Sequence, residues 1–270
     1  MNNFFVIGNP INHSKSPMLF KYIFDTLNIK GIYSSKLISN QHTLKSFIHH
    51  CKQIKVKGIN ITMPLKEDSI PYTDIIDPIA KITKSINCLH FIDDKIIGYN
   101  NDYYGFSQLI KLNHLNLEHT NNIIIGSGGS TRTIILYLIK QKVKNIYLLS
   151  RNKKTTLQII KDFTGHLEQS NLNRIDNNSD LKNCNLINCT PIGLSENTNI
   201  DILSNVPKIH YRTIIDINYH ITTNYLNFAS DKTIDGKSMF IFQALKSLDI
   251  WFESNISNKL DYQHLEQLLC

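Results

Sequence analysis

Two residues that could exchange a proton with a substrate follow strand-like segments in the first half of the chain. Lys66 comes directly after GINITMPL, where Pro64 stops a strand pattern, and Asp102 follows the hairpin pattern CLHFIDDKIIGY. A lysine and an aspartate that meet at two strand ends can act as an acid–base pair. Their spacing does not by itself show that they meet, so the pair depends on the fold.

Two serines precede the first helix pattern and could hold an anion. Ser14 and Ser16 lie in GNPINHSKSPMLF, before a helix that the Ser-Pro pair is expected to open. Residues two apart in an extended chain point to the same side, and a helix N-terminus favours a carboxylate. Ordinary helix capping explains the same residues, and both interpretations stay open.

A glycine-rich turn in NIIIGSGGSTRT, residues 122–133, is typical of a nucleotide site. Gly126 and Gly128 follow an apolar strand and precede a helix pattern, an arrangement that lets backbone N–H groups approach a pyrophosphate. Thr131 stands where the fingerprint G-x-G-x-x-G has its third glycine, which serves close packing of helix on strand. The alternative is a glycine-rich loop of an unrelated α/β protein.

The end of the following strand indicates which nucleotide would bind. NAD sites place an acidic residue there for the ribose 2′-hydroxyl, but this strand ends in LLSRNKK, with Ser150, Arg151, Lys153 and Lys154. A guanidinium can hold a 2′-phosphate through two hydrogen bonds. The segment therefore predicts NADPH, although basic residues after a strand can also simply begin a solvated helix.

Strand and helix patterns alternate in the first half and must position these residues. The strand patterns are FFVIG, GIYSSKLI and VKGINIT, and the helix patterns are SPMLFKYIFDTLNI and TLKSFIHHCKQI. A hairpin is expected to turn at Asp93 and Asp94. Strands separated by helices predict an α/β layer with parallel pairs.

The alternation restarts near residue 103 and predicts a doubly wound nucleotide domain. Its strand patterns are NNIIIG, NIYLLS, LINCT and RTIIDIN, and its helix patterns are YYGFSQLIKLNHL, STRTIILYLIKQ and KKTTLQIIKDF. The polar segment DNNSDLKN, residues 176–183, is expected to be a surface loop. Two helix patterns, SMFIFQALKSLDIWFESNI and LDYQHLEQLLC, close the chain.

Composition predicts a cytoplasmic protein without a membrane span. The 270 residues suffice for one large domain or two modest ones. No apolar run reaches the roughly 18 residues that span a bilayer, and the N-terminal residues lack a secretory pattern. The 5 cysteines contain no C-x-x-C pair, which indicates free thiols and no metal site.

The net charge of +7 raises nucleic acid as a partner. The lysines are scattered, however, and only 19% of residues are charged. A small anionic ligand uses positive potential equally well, so we expect a small-molecule substrate and no nucleic acid. The sequence leaves open whether the chain forms a homodimer.

Nine ordered sequence blocks resemble the pattern of the shikimate dehydrogenase family. They run through nearly the whole chain, and that family's turn, G-A-G-G-A-[SA]-R, also lacks the third glycine. The blocks are GNPINHSKSP, NITMPLK, IN before the hairpin, GYNNDYYGF, GSGGSTR, SRN, NCTPIG, DINY and DGKSMFIFQA.

The resemblance implies a two-domain α/β fold. An N-terminal α/β substrate domain would comprise residues 1–102 and 237–270, with C-terminal helices that return to it. A Rossmann-like NADP-binding domain would comprise residues 103–236. The implied activity is NADPH-dependent, reversible reduction of 3-dehydroshikimate to shikimate, a step of chorismate and aromatic amino-acid biosynthesis.

The resemblance also implies a role for individual residues. Lys66 and Asp102 would be the catalytic pair. The substrate would be held by Ser14, Ser16, Thr62, Asn87, Tyr219 and Gln243. The cofactor would be held by Gly126, Ser127, Gly128, Gly129, Ser130, Ser150, Arg151, Asn152, Lys153, Lys154, Thr155, Ile217 and Gly236.

Several positions depart from the family pattern, and those after the second strand of the nucleotide domain concern the cofactor. The catalytic positions are intact. This chain has Asn87-Cys88 where the family has Asn-Thr, and Asn100-Asn101-Asp102 where it has Asn-Thr-Asp. It has Ser150-Arg151-Asn152 in place of Asn-Arg-Thr, and Thr155 in place of an expected basic residue. The family's Tyr-Asn-Pro is replaced by Tyr219-His220-Ile221.

Three other functions are compatible with parts of the sequence. A quinate/shikimate dehydrogenase with relaxed substrate and NAD(P) use is the nearest, and Ser16 with the basic stretch 150–154 argues against it. A non-catalytic nucleotide-binding homologue is disfavoured because Lys66 and Asp102 are both present. Nucleic-acid binding is the third.

Overall fold

Two compact units make up the protein. The computed structural model describes residues 2–175, 181–191, 205–219 and 227–269. One unit contains the residues up to Gly105 and those from Phe240 onward, and the other runs from Phe106 to Met239. In the described residues each unit contains one six-stranded sheet, and the alternation of strand and helix patterns predicted an α/β layer in each half.

The first sheet is mixed, and its topology gathers several chain turns at one edge. It consists of β1 (Asn2–Gly8), β2 (Gly31–Leu37), β3 (Gly58–Ile61), β4 (Ile75–Ile76), β5 (Cys88–Ile92) and β6 (Lys95–Tyr99), in the order β2-β1-β3-β5-β6-β4. β1 runs parallel to β2 and β3, whereas β5 is antiparallel to β3 and β6. The ends of β1, β3 and β6 and the start of β5 therefore share an edge.

Within the described ranges, six α-helices carry residues of the first unit. Asn40 and Asp77 cap the second and third by accepting hydrogen bonds from backbone N–H groups. The helices are α1 (Ser16–Thr26), α2 (Gln41–Gln53), α3 (Pro78–Thr83), α4 (Asp102–Leu112), α7 (Lys237–Phe252) and α8 (Tyr262–Gln267).

The C-terminal helix α7 packs on the first sheet through Trp251. This side chain is fully buried, and its Nε1 donates to the Leu89 carbonyl over 2.9 Å. Its ring lies 4.9 Å from that of Phe4 and 5.4 Å from that of Phe20. A Cβ at Gly58 would collide with the indole, so β3 needs glycine there. The predicted return of the C-terminal helices to the first domain is confirmed.

The second sheet is entirely parallel and doubly wound, as predicted. Its strands are β7 (Asn121–Ile125), β8 (Asn145–Leu149), β9 (Asn171–Arg174), β10 (Cys184–Asn188), β11 (Tyr211–Asp216) and β12 (Ser230–Ile234). They are ordered β9-β8-β7-β10-β11-β12, and helices α5 (Gly129–Lys140) and α6 (Lys153–Phe163) follow β7 and β8. The strand order reverses between β7 and β10, the point at which such sheets bind ligands.

Element ends differ from the sequence patterns where local geometry stops a helix or strand. Helix α1 ends at Thr26, before the expected residue 29, because Asn28 has a left-handed φ of 53°. Strand β10 ends at Asn188, whose Oδ1 accepts hydrogen bonds from the N–H and Oγ1 of Thr190. The pattern LINCT is therefore part strand and part turn.

The polar segment predicted as a surface loop is only partly described. Residues 176–180 lie outside the described part of the chain. Lys182 and Asn183 are exposed, in keeping with the prediction for those two residues.

Candidate active site

Backbone hydrogen bonds draw together the segments at one edge of the first sheet. The Thr62 N–H donates to the Ile7 carbonyl over 2.9 Å, which links the segments after β1 and β3. The Lys66 carbonyl accepts from the Ile86 N–H over 2.9 Å and so ties the turn after β3 to the start of β5. This edge carries most of the residues expected to bind substrate.

Lys66 and Asp102 meet at this edge. The Lys66 ammonium lies 2.6 Å from Asp102 Oδ2, and the two side chains are only 14% and 9% exposed. Lys66 stands in the turn after β3, and Asp102 is the first residue of α4. Such a charge-assisted pair holds an N–H donor in a fixed position where little water competes. The contact that sequence spacing left open is present.

Asn87 orients Asp102. Its Nδ2 donates to Asp102 Oδ1 over 2.7 Å, and its Oδ1 accepts from the Asn101 N–H over 2.7 Å. A longer bond of 3.4 Å runs from Asn87 Nδ2 to Gln243 Oε1 on α7. Both Asp102 oxygens thus have a donor, and we refer to Lys66, Asp102 and Asn87 as the proton-transfer cluster.

The two serines are arranged differently from the expectation of an extended chain. Lys15 between them has helical angles, φ −81° and ψ −1°, so the same-side argument from extended geometry is wrong. Ser14 Oγ instead accepts from the Ser16 N–H over 3.3 Å, and Ser16 is buried at the start of α1. The Lys15 ammonium donates to the Leu269 carbonyl over 2.8 Å and anchors the loop.

Two further residues expected to contact substrate, Thr62 and Tyr219, belong to different units. Thr62 is half-buried, and its methyl group fills the space beside Gly8 where a Cβ would lie. Tyr219 is half-buried and follows β11 in the second unit. Their contacts with substrate stay predictions.

The first glycine of the turn at residues 126–130 is required by its backbone. Gly126 has φ +124°, and a Cβ there would lie 3.0 Å from Thr131 Oγ1 and 3.2 Å from the Cys189 carbonyl oxygen. Thr131 itself is fully buried at the start of α5. Thr131 therefore packs where the fingerprint G-x-G-x-x-G has its third glycine.

Gly128 leaves room at the N-terminus of α5. No described atom lies within 4 Å of the position of a Cβ on Gly128, and no side chain of the described residues caps the helix. Gly129 starts α5, and Ser127 and Ser130 beside it are half-buried. An open helix N-terminus at the reversal point of a doubly wound sheet fits a pyrophosphate.

In the segment after β8, the hydroxyl groups of Ser150 and Thr156 are buried and the basic side chains are exposed. Ser150 Oγ is buried and lies 2.6 Å from Thr156 Oγ1. Asn152 caps α6 by accepting from the Thr155 N–H over 3.1 Å. The exposed cations of this segment are Arg151, Lys153 and Lys154. Of the six residues expected at the adenosine phosphate, Ser150–Thr155, these three are the positively charged ones.

The arginine that follows the glycine turn has a structural partner. Arg132 NH2 lies 2.8 Å from Asp162 Oδ2, and both side chains are less than 9% exposed. This pair ties α5 to α6. Sequence reasoning missed it, because nothing in the spacing relates the two positions.

The residues expected at the nicotinamide end lie side by side. A Cβ on Gly236 would collide with the Ile217 carbonyl, and the Gly236 N–H donates to the Asn218 carbonyl over 3.0 Å. Glycine at 236 therefore allows the chain before α7 to pack against the end of β11.

Buried polar residues around Asn87 were also missed from the sequence. Asn60, Asn101 and Ser247 are each at most 6% exposed, and the side-chain amides of Asn60 and Asn101 both donate to the Ser247 hydroxyl. One signal was present, since Ser247 lies four residues after Gln243 and so shares its helix face.

The described residues contain free cysteines but no candidate metal site and no candidate membrane-spanning helix. Cys51, Cys88, Cys184 and Cys189 are free thiols. Burial raises the pKa of the Cys88 thiol to about 12. No metal-binding group of His, Cys, Asp or Glu occurs in those ranges, and none of their helices is long and apolar enough to cross a membrane.

Fold and site together define a class of protein. A doubly wound parallel sheet with a glycine turn at its reversal point is typical of dinucleotide-binding domains. A second α/β unit carries a shielded lysine–carboxylate pair suited to proton transfer. These are the components of a nicotinamide-nucleotide oxidoreductase.

Comparisons with known proteins identify the family. Residues 6–89 match the family model described as the shikimate dehydrogenase substrate binding domain. A relative from Clostridium perfringens strain 13, named shikimate dehydrogenase (NADP(+)), is 32% identical, with 100% of this chain and 99% of the relative covered. A relative of the same name from Prochlorococcus marinus is 35% identical over 91% of this chain and 90% of its own. The chain belongs to the shikimate dehydrogenase family.

Solved structures agree with this assignment. The shikimate dehydrogenase of Aquifex aeolicus aligns with a TM-score of 0.81 at 26% identity, covering 100% of this chain and 97% of its own. A shikimate dehydrogenase in complex with NADP⁺ aligns with a TM-score of 0.85 at 25% identity, covering 100% and 94%. The two-domain fold implied by the sequence resemblance is confirmed.

Proposed function

We propose that this protein catalyses the NADPH-dependent, reversible reduction of 3-dehydroshikimate to shikimate. The observation that carries the proposal is the contact between Lys66 and Asp102 in the unit that matches a substrate-binding domain. The open helix N-terminus at Gly128 in the other unit supports a nucleotide partner. The relatives' shared name, shikimate dehydrogenase (NADP(+)), supports the same substrate and cofactor.

Lys66 acts as the proton donor in the reductive direction. Bound NADPH supplies the hydride to the carbonyl carbon of the substrate. The carbonyl oxygen gains negative charge as this happens, and the Lys66 ammonium donates a proton to it. Asp102 holds the ammonium, and Asn87 holds Asp102. In the oxidative direction the same side chain accepts the proton of the substrate hydroxyl.

The remaining polar side chains of the site orient the substrate. The bond from Asn87 Nδ2 to Gln243 Oε1, at 3.4 Å, is longer than the other two bonds of the Asn87 side chain and can be exchanged for a bond to a substrate hydroxyl. The residues that we assign to the substrate are Ser14, Ser16 and Tyr219 for its carboxylate, and Thr62, Asn87 and Gln243 for its ring hydroxyls.

The cofactor is assigned to the second unit. Residues 126–130 are proposed to hold the pyrophosphate, Ser150–Thr155 the adenosine phosphate, and Ile217 with Gly236 the nicotinamide end. The exposed Arg151 supports a 2′-phosphate ligand, because its guanidinium can form two parallel hydrogen bonds. We retain residues 1–102 with 237–270 as the substrate domain and 103–236 as the cofactor domain.

Small anions, and not nucleic acid, are the proposed partners for the positive charge of the chain. Both the substrate carboxylate and the cofactor phosphates are anionic, which suits a net charge of +7. Retention on DNA that depends strongly on salt, without NADPH binding, would contradict this assignment. The four free thiols of the described residues support a reducing compartment, and we propose the cytoplasm.

The experiment that tests the function is an NADPH oxidation assay with two ketones. Purified protein is supplied with 3-dehydroshikimate or 3-dehydroquinate, and each is measured with NADPH and with NADH. We expect turnover with 3-dehydroshikimate and NADPH well above the other three combinations. Equal turnover of both ketones and both cofactors would favour a relaxed quinate/shikimate dehydrogenase, and no turnover would refute the proposal.

A further inference from the structure

Ser247 on α7 joins three hydrogen bonds in a fully buried position. Its hydroxyl accepts from Asn60 Nδ2 over 2.8 Å and from Asn101 Nδ2 over 3.0 Å. It donates to the Gln243 carbonyl over 2.9 Å. A hydroxyl has one donor and two acceptor sites, so these three bonds satisfy Ser247, and the buried Cys88 thiol lies beside both Ser247 and Asn101.

Asn60 links Ser247 to the backbone of Asn87. Asn60 lies on β3, and its Oδ1 accepts from the Tyr33 hydroxyl over 2.7 Å. Its Nδ2 also reaches the Asn87 carbonyl at 3.3 Å. The backbone of Asn87 is therefore held by a residue whose own orientation depends on Ser247 and on Tyr33.

Asn101 links Ser247 to the side chain of Asn87. The Asn101 N–H donates to Asn87 Oδ1 over 2.7 Å, while its side chain is fixed on Ser247. Asn87 then donates to Asp102 Oδ1, and Asp102 is the next residue in the chain after Asn101. The orientation of the Asp102 carboxylate thus has two supports that both begin at Ser247.

We propose that Ser247 is a positioning residue for the reaction, acting through Asn60 and Asn101 to hold Asn87 and Asp102 in place for Lys66. Ser247 contacts none of the atoms that we assign to proton transfer. It couples α7 to the start of α4, so the packing of α7 sets the direction of the catalytic carboxylate. This role rests on the proposed function and adds a residue that the family comparison does not name.

The physical consequence of losing the hydroxyl can be stated from the network. Ser247→Ala removes the hydroxyl to which both buried amide groups donate, and these amides reorient toward other partners. Asn87 and Asp102 then lose their fixed orientation. Small displacements of catalytic groups by a residue remote from the chemistry can lower rates by about 100-fold.

The test compares Ser247→Ala with Ser85→Ala. Ser85 is also fully buried, but its hydroxyl makes no hydrogen bond within the described part of the chain. Ser247→Ala is expected to lower kcat by about 10- to 100-fold, with little change in KM for 3-dehydroshikimate. Ser85→Ala is expected to keep the wild-type kcat, and Asn101→Ala to reproduce the Ser247 effect. Circular dichroism and the midpoint of thermal unfolding report whether each variant is folded.

A double-mutant cycle separates positioning from general destabilisation. In an Asp102→Ala background no carboxylate remains to be oriented, so adding Ser247→Ala should cause no further loss of kcat. A loss as large as in wild type, or a Ser247→Ala kcat equal to that of Ser85→Ala, would overturn the inference. The cycle uses enzyme that turns over 3-dehydroshikimate, so failure of the proposed function would already be visible in wild type.

Discussion

The proton-transfer cluster of the first unit and the glycine turn of the second are built in opposite ways. Lys66, Asp102 and Asn87 are shielded side chains whose polar atoms hold one another. The turn instead uses backbone geometry, with one glycine forced by its φ and another left open to solvent. The first arrangement fixes the position of a proton, whereas the second leaves space for a large anion.

Removing Lys66 breaks the first region and is expected to have the largest effect. Lys66→Ala takes away the only proton donor that we assign to the substrate oxygen. General acid catalysis contributes about 10²- to 10⁴-fold to rates, so kcat should fall by that order with a modest change in KM. Steady-state kinetics with 3-dehydroshikimate measures both.

Lys81 provides the matched control for that variant. It is an exposed lysine on α3 in the same unit, and Lys81→Ala should behave as wild type. An unchanged kcat in Lys66→Ala would remove Lys66 from the catalytic step.

Two glycine substitutions sharpen the comparison in the second region. Gly126→Ala forces an L-residue to φ +124°, which costs about 1–3 kcal/mol of folding free energy. Gly128→Ala adds a methyl group where no described atom lies within 4 Å, so it should leave stability unchanged. It should nevertheless weaken NADP⁺ binding, by about tenfold for each 1.4 kcal/mol lost. Thermal unfolding and NADP⁺ titration separate the two effects, and undiminished NADP⁺ affinity in Gly128→Ala would place the pyrophosphate elsewhere.

Arg151→Ala tests whether the exposed cations after β8 read the 2′-phosphate. A hydrogen bond to a charged group contributes about 1.5–3 kcal/mol, so KM for NADPH should rise roughly tenfold or more while KM for NADH changes little. Arg174→Ala is the control, since Arg174 is an exposed arginine on β9 of the same unit. Equal changes for both cofactors would exclude Arg151 from the phosphate site.

The smallest expected effect is on stability, because the buried His90 should make the free energy of unfolding depend on pH. Burial lowers the pKa of His90 from its ordinary value of 6.5, although Glu253 opposes the shift and Lys57 adds to it. Below pH 6.5 the unfolded chain binds a proton that the folded chain resists. The free energy of unfolding should therefore fall as pH drops from 6.5 toward the folded pKa.

His90→Gln should flatten that part of the pH profile. His42→Gln, an exposed histidine on α2, is the control. Urea unfolding at several pH values measures the free energy, and an identical pH dependence in His90→Gln and wild type would show that His90 makes no such contribution.

Local turns were predictable from the sequence, but polar strands were not. Asp93 and Asp94 adopt φ 47° and 58° at the expected hairpin turn, because short polar residues between apolar runs tolerate this conformation. Strands β9 (NLNR) and β12 (SDKTI) contain too few apolar residues to show a pattern. Their backbone bonds to β8 and β11 place them in the sheet.

For the candidate site, too, some residues could be predicted from the sequence, whereas their contacts could not. Lys66 and Asp102 could be named as candidates, yet only the antiparallel course of β3, β5 and β6 brings them together. The partnership of Ser247 with Asn60 and Asn101 could not be predicted, because it depends on how α7 packs against β3 and α4. Long-range polar contacts leave no periodic signal in a sequence.

Transfer of deuterium from labelled NADPH tests the central claim most directly. NADPH deuterated at C4 of the nicotinamide, on one face or on the other, is incubated with 3-dehydroshikimate and the protein, and the shikimate formed is analysed by mass spectrometry. Direct hydride transfer to the carbonyl carbon predicts that one of the two labelled cofactors gives shikimate carrying a single deuterium. Unlabelled shikimate from both, or no shikimate, would contradict the assignment.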